Sequence, residues 1–356
     1  MVKVLIVDDS AFMRKVISDF LTSHRSIEVV GTARNGEDAI KKIPVLQPDV
    51  ITLDVEMPVM DGLEALEWIM NESPLPTVML SSSTTEGAKS TFHALQLGAV
   101  DFVAKPSGPI SLDLHKIQDE LVEKVLHASQ VNMKKMTPVQ KRKTTQAELV
   151  EESQHIKTSQ AQEWSPSHNK VIMIGTSTGG PKALQSVLSC IPSDIQSPII
   201  VVQHMPPKFT ESLAVRLNSL CELEVKEAKN GDKLENGVVY IAPGGYHLEI
   251  KRKGLSLILE TNEEDPVNGV RPAVDRLFQS ASELTDYYKI AVVMTGMGSD
   301  GTKGLKKLKE SGQTKVIAES ENTCIVYGMP KSAISAGVVD IVANVEDIPS
   351  TILSLL

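Results

Sequence analysis

Residues 171–184 read VIMIGTSTGGPKAL, and this stretch decides how the second half of the chain is interpreted. An apolar run precedes a glycine-rich turn, and a helical pattern with Pro181 near its start follows. This strand, turn and helix order is typical of parallel α/β sheets. The turn also contains Gly-x-Ser-x-Gly around Ser177, the pattern of a strained elbow that exposes a nucleophilic serine. A turn that only bends the chain, or that binds a phosphate at the helix N-terminus, is the alternative.

The alternation of strands and helices continues beyond this stretch. Further apolar runs that predict strands are PIIVVQH, VVYIAP, HLEI, LSLIL, IAVVMTG, KVIAE and VVDIVA. Residues 238–260 lack a helical pattern and contain Gly244-Gly245 and Gly254, which favours an antiparallel hairpin. We therefore predict that residues 169–356 form a doubly wound, mostly parallel α/β domain with an antiparallel hairpin.

An earlier part of the chain shows the same kind of repeat. Residues 1–126 contain five β-branched runs separated by helical patterns: VKVLIV, IEVVGTA, VITLDV, PTVMLS and DFVAK. Continuous apolar strands with intervening helices indicate a parallel sheet that is covered on both faces. Residues 127–168 are rich in Lys, Gln, Ser, Thr and Glu and contain no glycine. We predict that they form a flexible linker between two domains.

The composition excludes several classes of partner and location. Acidic residues outnumber basic ones, 45 to 36, so we expect no nucleic-acid partner. The three cysteines form no Cys-x-x-Cys pair, which argues against a disulfide framework or a cysteine zinc site. No apolar run reaches the roughly 18 to 20 residues of a membrane span, and the first run is too short for a signal peptide. We expect no membrane insertion and a cytoplasmic location.

Polar residues follow the strands of the first domain where their carboxyl ends meet. They are Asp8, Asp9, Asp54, Ser81 and Lys105. Ligands bind beyond the carboxyl ends of the strands in an open parallel sheet. Three neighbouring carboxylates repel one another, and a hard cation such as Mg²⁺ neutralises them.

These residues suggest a phosphorylation site. We hypothesise that Asp54 accepts a phosphoryl group as an acyl phosphate and that Lys105 pairs with that group. Asp9, Asp54 and the backbone carbonyl of Glu56 would hold Mg²⁺, and Asp8 would assist through water. A regulated output should follow, because a phosphoryl group adds close to two negative charges.

In the second domain, a base and its orienting partner are predicted at other strand ends. His204 ends the run PIIVVQH, and Asp300 follows the run IAVVMTG. His204 can act as the general base for Ser177. The Asp300 carboxylate would then accept a hydrogen bond from Nδ1 of His204 and leave Nε2 for Ser177. The Met297 backbone N–H is a candidate oxyanion donor.

Each of these residues also has a plainer interpretation. His204 could be a packed histidine, and Asp300 could cap the helix that follows it. His247 and Asp275 are alternative members of the triad, but His247 falls in the predicted hairpin and Asp275 within a helical pattern. Arg271 either contacts a substrate carboxylate or is simply exposed.

The motifs VDDS, LDVEMPVMDG, SSS and FVAKP resemble the receiver domain of two-component response regulators. The resemblance covers residues 2 to about 126. It implies a flavodoxin-like fold with strand order 2-1-3-4-5 and phosphorylation by a chemotaxis histidine kinase. It also implies that Ser81 and Phe102 form the pair of residues that switches conformation.

The motifs IGTSTGGPKAL, VVQHMP, YIAPGGYHL, RPAVD, TGMGSDG and VYGMP resemble the chemotaxis protein-glutamate methylesterases, the CheB family. The resemblance implies a carboxylic ester hydrolase that releases methanol from methylated glutamates of chemoreceptors and also deamidates receptor glutamines. It implies no cofactor for ester hydrolysis. The family's catalytic serine, histidine and aspartate fall on Ser177, His204 and Asp300. We further hypothesise that the unphosphorylated receiver packs over the catalytic edge. The alternative is a binding module in which GTSTGG holds a nucleotide phosphate.

Overall fold

A computed structural model of the protein describes residues 1–82, 84–105, 114–133 and 169–356. Residues 134–168 of the predicted linker lie outside these ranges. The predicted linker start at residue 127 falls within a helix that ends at Ala128. In the described ranges, no helix has both the length and the apolar character needed to cross a bilayer.

The first domain is a five-stranded parallel sheet with strand order β2-β1-β3-β4-β5, as the resemblance to receivers implied. Its strands are β1 (Val2–Val7), β2 (Ile27–Ala33), β3 (Val50–Asp54), β4 (Thr77–Ser81) and β5 (Asp101–Ala104). Its helices are α1 (Ala11–Thr22), α2 (Gly36–Leu46), α3 (Gly62–Glu72), α4 (Thr85–Leu97) and α5 (Leu114–Ala128). Every residue of β3 and β4 is buried, because helices cover both faces of the sheet.

The second domain contains a seven-stranded sheet in which every pairing is parallel, with the order β14-β13-β12-β6-β7-β9-β8. Its strands are β6 (Lys170–Thr176), β7 (Ile199–Gln203), β8 (Glu224–Glu227), β9 (Val238–Ile241), β12 (Tyr288–Val293), β13 (Thr314–Glu319) and β14 (Ile341–Ala343). Its helices are α6 (Gly180–Leu188), α7 (Phe209–Asn218), α8 (Val274–Ala281), α9 (Thr302–Glu310), α10 (Met329–Ser335) and α11 (Ile348–Ser354).

The predicted hairpin is present as β10 (His247–Lys253) and β11 (Ser256–Asn262), which pair antiparallel. It forms a separate two-stranded sheet and does not interrupt the large one, since β9 immediately before it is parallel to β7. Helix α8 holds the hairpin, where the Ile250 backbone N–H donates to Ser280 Oγ at 2.9 Å. The hairpin therefore packs as an additional layer beside the parallel sheet.

Strand β8 was missing from the sequence interpretation. It lies at the edge of the large sheet, and of its four residues only Val225 is buried. A strand that is open on one side needs no continuous apolar run, so its sequence resembles that of a loop.

Candidate active site and phosphorylation site

Ser177 lies at the elbow between β6 and α6, on the central part of the large sheet. Its backbone N–H donates to the Thr295 carbonyl at 3.0 Å. Its own carbonyl accepts from Gly180 N–H at 2.8 Å and from Gln203 Nε2 at 2.9 Å. Gly179 has φ +78°, a conformation that glycine adopts without strain. The main chain around the serine is therefore fixed on both sides of the turn.

His204 follows β7, the strand next to β6, and its backbone N–H donates to the Thr176 carbonyl at 3.1 Å. Its Nε2 lies 2.8 Å from Asp300 Oδ2, so the structure joins the two residues that the sequence paired. The prediction that Nδ1 contacts Asp300 is wrong. Strand β6, which leads to Ser177, lies between β7 and β12, the strands that precede His204 and Asp300. Nδ1 is the ring nitrogen that does not face Asp300.

Asp300 is buried, with 3% of its surface exposed, and the protein surrounds it with hydrogen-bond donors. The backbone N–H groups of Val274 and Asp275 donate to it at 2.6 and 3.1 Å, and that of Gly301 donates at 3.0 Å. Burial alone would raise its pKa, but the hydrogen bonds from His204 and from the backbone hold the pKa below its ordinary value. The carboxylate therefore stays ionised beside the imidazole.

Asp300 does cap a helix, but not the one that follows it. Val274 and Asp275 begin α8, whose own N-cap, Ala273, makes no side-chain cap. Asp275 in turn accepts a hydrogen bond from Gly304 N–H in the first turn of α9, at 2.7 Å. Two buried aspartates thus cap each other's helices. Burial and the nearby charge of Asp300 raise the pKa of Asp275.

Asn268 belongs to this cluster and was not found from the sequence. Its Nδ2 lies 3.3 Å from Asp275 Oδ2 and 3.4 Å from Asp300 Oδ1. It has φ +54° in a tight turn closed by reciprocal hydrogen bonds between Val267 and Val270. The Asn268-Gly269 pair is a turn signal, but it does not reveal which groups the asparagine would contact.

The alternative candidates have other contacts. His247 is buried and its Nε2 lies 3.1 Å from the Asp265 carbonyl, and burial lowers its pKa. The Arg271 guanidinium donates to the carbonyls of Glu263 and Glu264 at 2.6 and 2.9 Å. Through these contacts, both residues support the loop between β11 and α8.

The loop that carries Met297 runs directly against the serine. A Cβ atom added to Gly296 would lie 2.8 Å from Ser177 Cβ, so only glycine allows this approach. Gly296 itself bonds to Val326 at 3.0 Å and to Gly328 at 3.1 Å through its backbone. The half-buried Met297 follows on a segment whose position relative to Ser177 is fixed.

In the first domain, carboxylate oxygens of Asp8, Asp9 and Asp54 lie within 4.8 Å of one another. Lys105 Nζ lies 2.9 Å from Asp8 Oδ2 and 2.7 Å from Asp54 Oδ2, so this lysine offsets part of the negative charge of the cluster. Burial raises the pKa of Asp54 to about 6 despite the lysine, with the Asp8 charge adding to the effect. The Glu56 backbone N–H points to Asp54 Oδ1 at 3.4 Å.

The predicted switch pair, Ser81 and Phe102, lies on strands β4 and β5. Ser81 Oγ donates to the Gly87 carbonyl at 3.0 Å at the start of α4. Phe102 is buried and its ring stacks on Phe209 of α7, with centroids 4.6 Å apart and an interplanar angle of 18°. Helix α4 packs against α6 and α7. Phe102, the aromatic member of the predicted switch pair, is thus part of the interface between the two domains.

A polar contact crosses the same interface beside Ser177. Thr178 Oγ1 donates to Asp101 Oδ2 of the first domain. The other oxygen of Asp101 accepts from the Phe102 backbone N–H at 2.7 Å and lies 3.2 Å from Lys124 Nζ. The first domain therefore reaches the residue that follows Ser177.

The fold and the two sites define a phosphorylatable receiver domain joined to an α/β domain with a serine-centred site. Residues 4–116 match the family model described as response regulator receiver domain, and residues 172–352 match the one described as CheB methylesterase. The chain belongs to the CheB methylesterase family.

Relatives match along the full chain. A protein-glutamate methylesterase/protein-glutamine glutaminase of Geobacillus kaustophilus is 53% identical over 362 residues, which cover 100% of this chain and 99% of the relative. The protein of the same description from Bacillus subtilis is 50% identical, and the match covers 99% of this chain and 98% of the relative. The crystal structure of the Thermotoga maritima CheB methylesterase catalytic domain is 46% identical with a TM-score of 0.51, covering 53% of this chain and 99% of that one.

Proposed function

We propose that the protein hydrolyses methyl esters of glutamate side chains on chemoreceptors, releasing methanol, and that it deamidates receptor glutamines at the same site. The observation that carries the chemistry is the 2.8 Å contact between His204 Nε2 and Asp300 Oδ2 beside the serine elbow. The relatives' description as methylesterase and glutaminase supports the choice of substrate.

The proposed reaction forms and breaks one covalent intermediate. Ser177 Oγ attacks the ester carbonyl carbon while His204 Nδ1 takes the hydroxyl proton. The tetrahedral intermediate collapses, and the same nitrogen returns the proton to the departing methoxide, which leaves as methanol. Water, deprotonated by His204, then cleaves the acyl-enzyme to a glutamate carboxylate and restores Ser177. With a glutamine substrate the leaving group is ammonia.

Asp300 supports this reaction in two ways: it orients the His204 ring, and its negative charge stabilises the protonated ring. As an ionised acceptor at Nε2, it favours the tautomer with the proton on Nε2 and keeps Nδ1 free to accept. Its charge also stabilises the imidazolium that forms when His204 takes the proton. Because its pKa lies below the ordinary range, this support persists throughout the neutral pH range.

We propose that the Met297 backbone N–H binds the oxyanion. The loop before it approaches Ser177 at Gly296, where an added Cβ would lie 2.8 Å from Ser177 Cβ, and this close approach supports the proposal. A backbone donor that is already in place stabilises developing charge without reorganising. This site requires no cofactor for ester hydrolysis.

The receiver is proposed to be phosphorylated on Asp54 by a histidine kinase. Three carboxylates within 4.8 Å fit a hard, oxygen-seeking Mg²⁺ ion, which Asp9, Asp54 and the Glu56 carbonyl would hold, with Asp8 acting through water. When bound, the ion neutralises charge on the phosphoryl oxygens. Lys105, which already contacts Asp54, would shift to the phosphoryl group.

Phosphorylation is proposed to release the catalytic domain. Lys105 leaves Asp54, Ser81 turns toward the new phosphoryl oxygens, and Phe102 moves into the space behind it. This movement withdraws Phe102 from Phe209 and weakens the interface at α4. The linker would permit the separation. We also propose a cytoplasmic location, in keeping with three free cysteines.

The test is methanol release from membranes that carry methylated receptors, with the wild type compared with Ser177→Ala. Ser186→Ala, on the exposed side of the same helix, is the matched control. We expect release by the wild type and the control and none by Ser177→Ala. Release that survives Ser177→Ala would place the nucleophile elsewhere.

A serine-reactive organophosphate probe separates the esterase from a phosphate-binding module. It should label Ser177 and lose its target in Ser177→Ala. A wild type that neither releases methanol nor reacts with the probe, even with a phosphodonor present, would support the binding module instead.

A further inference from the structure

A buried carboxylate on β13, which is separated from the serine strand β6 by β12, has no part in the reaction described above. Glu319 is the last residue of β13, with 1% of its surface exposed. One of its oxygens accepts from the Thr295 backbone N–H at 2.7 Å, and the other accepts from Thr323 Oγ1 at 2.9 Å. Burying a carboxylate is costly, and burial raises the pKa of Glu319 although these hydrogen bonds oppose the change. A carboxylate that is buried despite this cost is expected to have a structural or functional role.

Its partner Thr295 connects the segments that form the serine site. The Thr295 carbonyl accepts from Ser177 N–H at 3.0 Å and from Thr176 Oγ1 at 2.9 Å. The Thr295 hydroxyl donates to the Thr178 carbonyl at 2.9 Å and accepts from Val326 N–H at 3.0 Å. One residue thus holds the Thr176 side chain and the main chain of Ser177 and Thr178.

Glu319 replaces a sheet contact at the point where the sheet ends. The ladder between β12 and β13 has Val293 opposite Ala318 as its last pair. Thr295 lies beyond that pair, so its N–H has no backbone acceptor in the ladder. The Glu319 side chain supplies the acceptor and holds Thr295 in line with β12 while the chain turns toward Met297.

We propose that Glu319 is a positioning residue for the serine site: through the Thr295 N–H it fixes the distance between Ser177 and the loop that carries the oxyanion donor. This inference rests on the proposed esterase function. A shift of about 1 Å between reacting groups is enough to lower a rate by about a hundredfold.

The side-chain chemistry permits a graded test in the full chain. Glu319→Met keeps the length of the side chain and removes both acceptors. Glu319→Gln retains one carbonyl acceptor for Thr295 N–H, but as a neutral hydrogen bond of roughly half the strength. Thr323→Val is the comparison variant, because it leaves the hydrogen bond between Glu319 and Thr295. It removes the one between Thr323 and Glu319, together with the one that Thr323 Oγ1 accepts from Val345 N–H at 3.1 Å.

Two quantities are measured: kcat and KM for methanol release, and the rate at which the organophosphate probe labels Ser177. For Glu319→Met we expect both kcat and labelling to fall about 10- to 100-fold, with KM within about twofold of the wild type. Glu319→Gln should lose only about two- to fivefold, and Thr323→Val should match the wild type.

Thermal unfolding of each variant separates positioning from a structural role. The proposal is overturned if Glu319→Met keeps the wild-type kcat, or if its loss of activity equals its loss of folded protein. If Glu319→Met does not fold, Glu319→Gln decides, and an unchanged kcat and labelling rate there would overturn the proposal. Absence of methanol release and labelling in the wild type itself would overturn the esterase function and this role with it.

Discussion

Asp101→Ala should activate the unphosphorylated protein. Asp101 belongs to the receiver, yet its carboxylate accepts a hydrogen bond from Thr178, the residue after the nucleophile. The substitution leaves every residue of the catalytic domain unchanged. Any gain in activity must therefore come from a weaker contact between the domains.

The size of the effect follows from burial at the contact. Asp101 is 7% exposed and Thr178 is 4% exposed, so water does not screen their hydrogen bond. Hydrogen bonds to charged groups contribute about 1.5 to 3 kcal/mol. Because the carboxylate is hydrated again when the domains separate, the lower end applies, about 1.5 kcal/mol. As 1.4 kcal/mol corresponds to a factor of about ten, the open fraction should rise about tenfold.

The assay is methanol release without a phosphodonor, per folded molecule. Asp19→Ala is the control, since Asp19 lies on the exposed face of α1, where its carboxylate pairs with Lys15. Asp101→Ala should gain about tenfold in basal rate and gain correspondingly less from phosphorylation. In Asp101→Ala, Lys124 loses its contact with Asp101 but keeps the 2.9 Å contact with Glu120, so its charge remains paired. A folded Asp101→Ala with the basal rate of the wild type would refute the covering contact.

Three further outcomes are expected. Asp300→Asn should lower kcat on the order of 10⁴-fold with little change in KM, because the neutral amide no longer stabilises the imidazolium; a loss below about tenfold would contradict this role. Chelation of Mg²⁺ should abolish activation by a small phosphodonor and leave the basal rate unchanged; a lower basal rate would place a metal in the esterase step. Because the folded-state pKa of Asp54 is raised from 3.8 to about 6, the folded receiver binds this proton more tightly than the unfolded chain. The free energy of unfolding of the receiver should therefore fall as pH rises from about 4 to 6, by up to about 3 kcal/mol. Asp54→Asn should remove this pH dependence in urea unfolding, and wild-type and Asp54→Asn curves that run parallel over this pH range would refute the prediction.

The order of elements was predictable because most strands here are continuous apolar runs between helical patterns. VIMIG and PIIVVQH are apolar along most of their length, which is typical of strands buried on both faces in a parallel sheet. Strand β8 carries only one buried residue and lacks such a signal. The hairpin was recognisable from its glycines, but its separation from the large sheet depends on how β9 pairs, which no local pattern reveals.

The pairing of His204 with Asp300 was also predictable, because carboxyl ends of parallel strands share one edge. The identity of the imidazole nitrogen facing Asp300 was not, since it depends on the orientation of the ring, which the sequence does not reveal. Contacts such as Asn268 with Asp300 join segments far apart in the chain. Their partners are set by tertiary packing, and the catalytic roles themselves remain predictions.

The double use of Asp300 has a consequence for how this chain changes over generations. The carboxylate that faces His204 also satisfies the first N–H groups of α8, whose own cap residue contributes no side-chain hydrogen bond. Loss of such a cap typically costs about 1 kcal/mol of stability. A descendant that no longer needed the reaction would therefore still be under selection to keep an acceptor at this position. Decay of the activity should begin at Ser177 or His204 and reach Asp300 last.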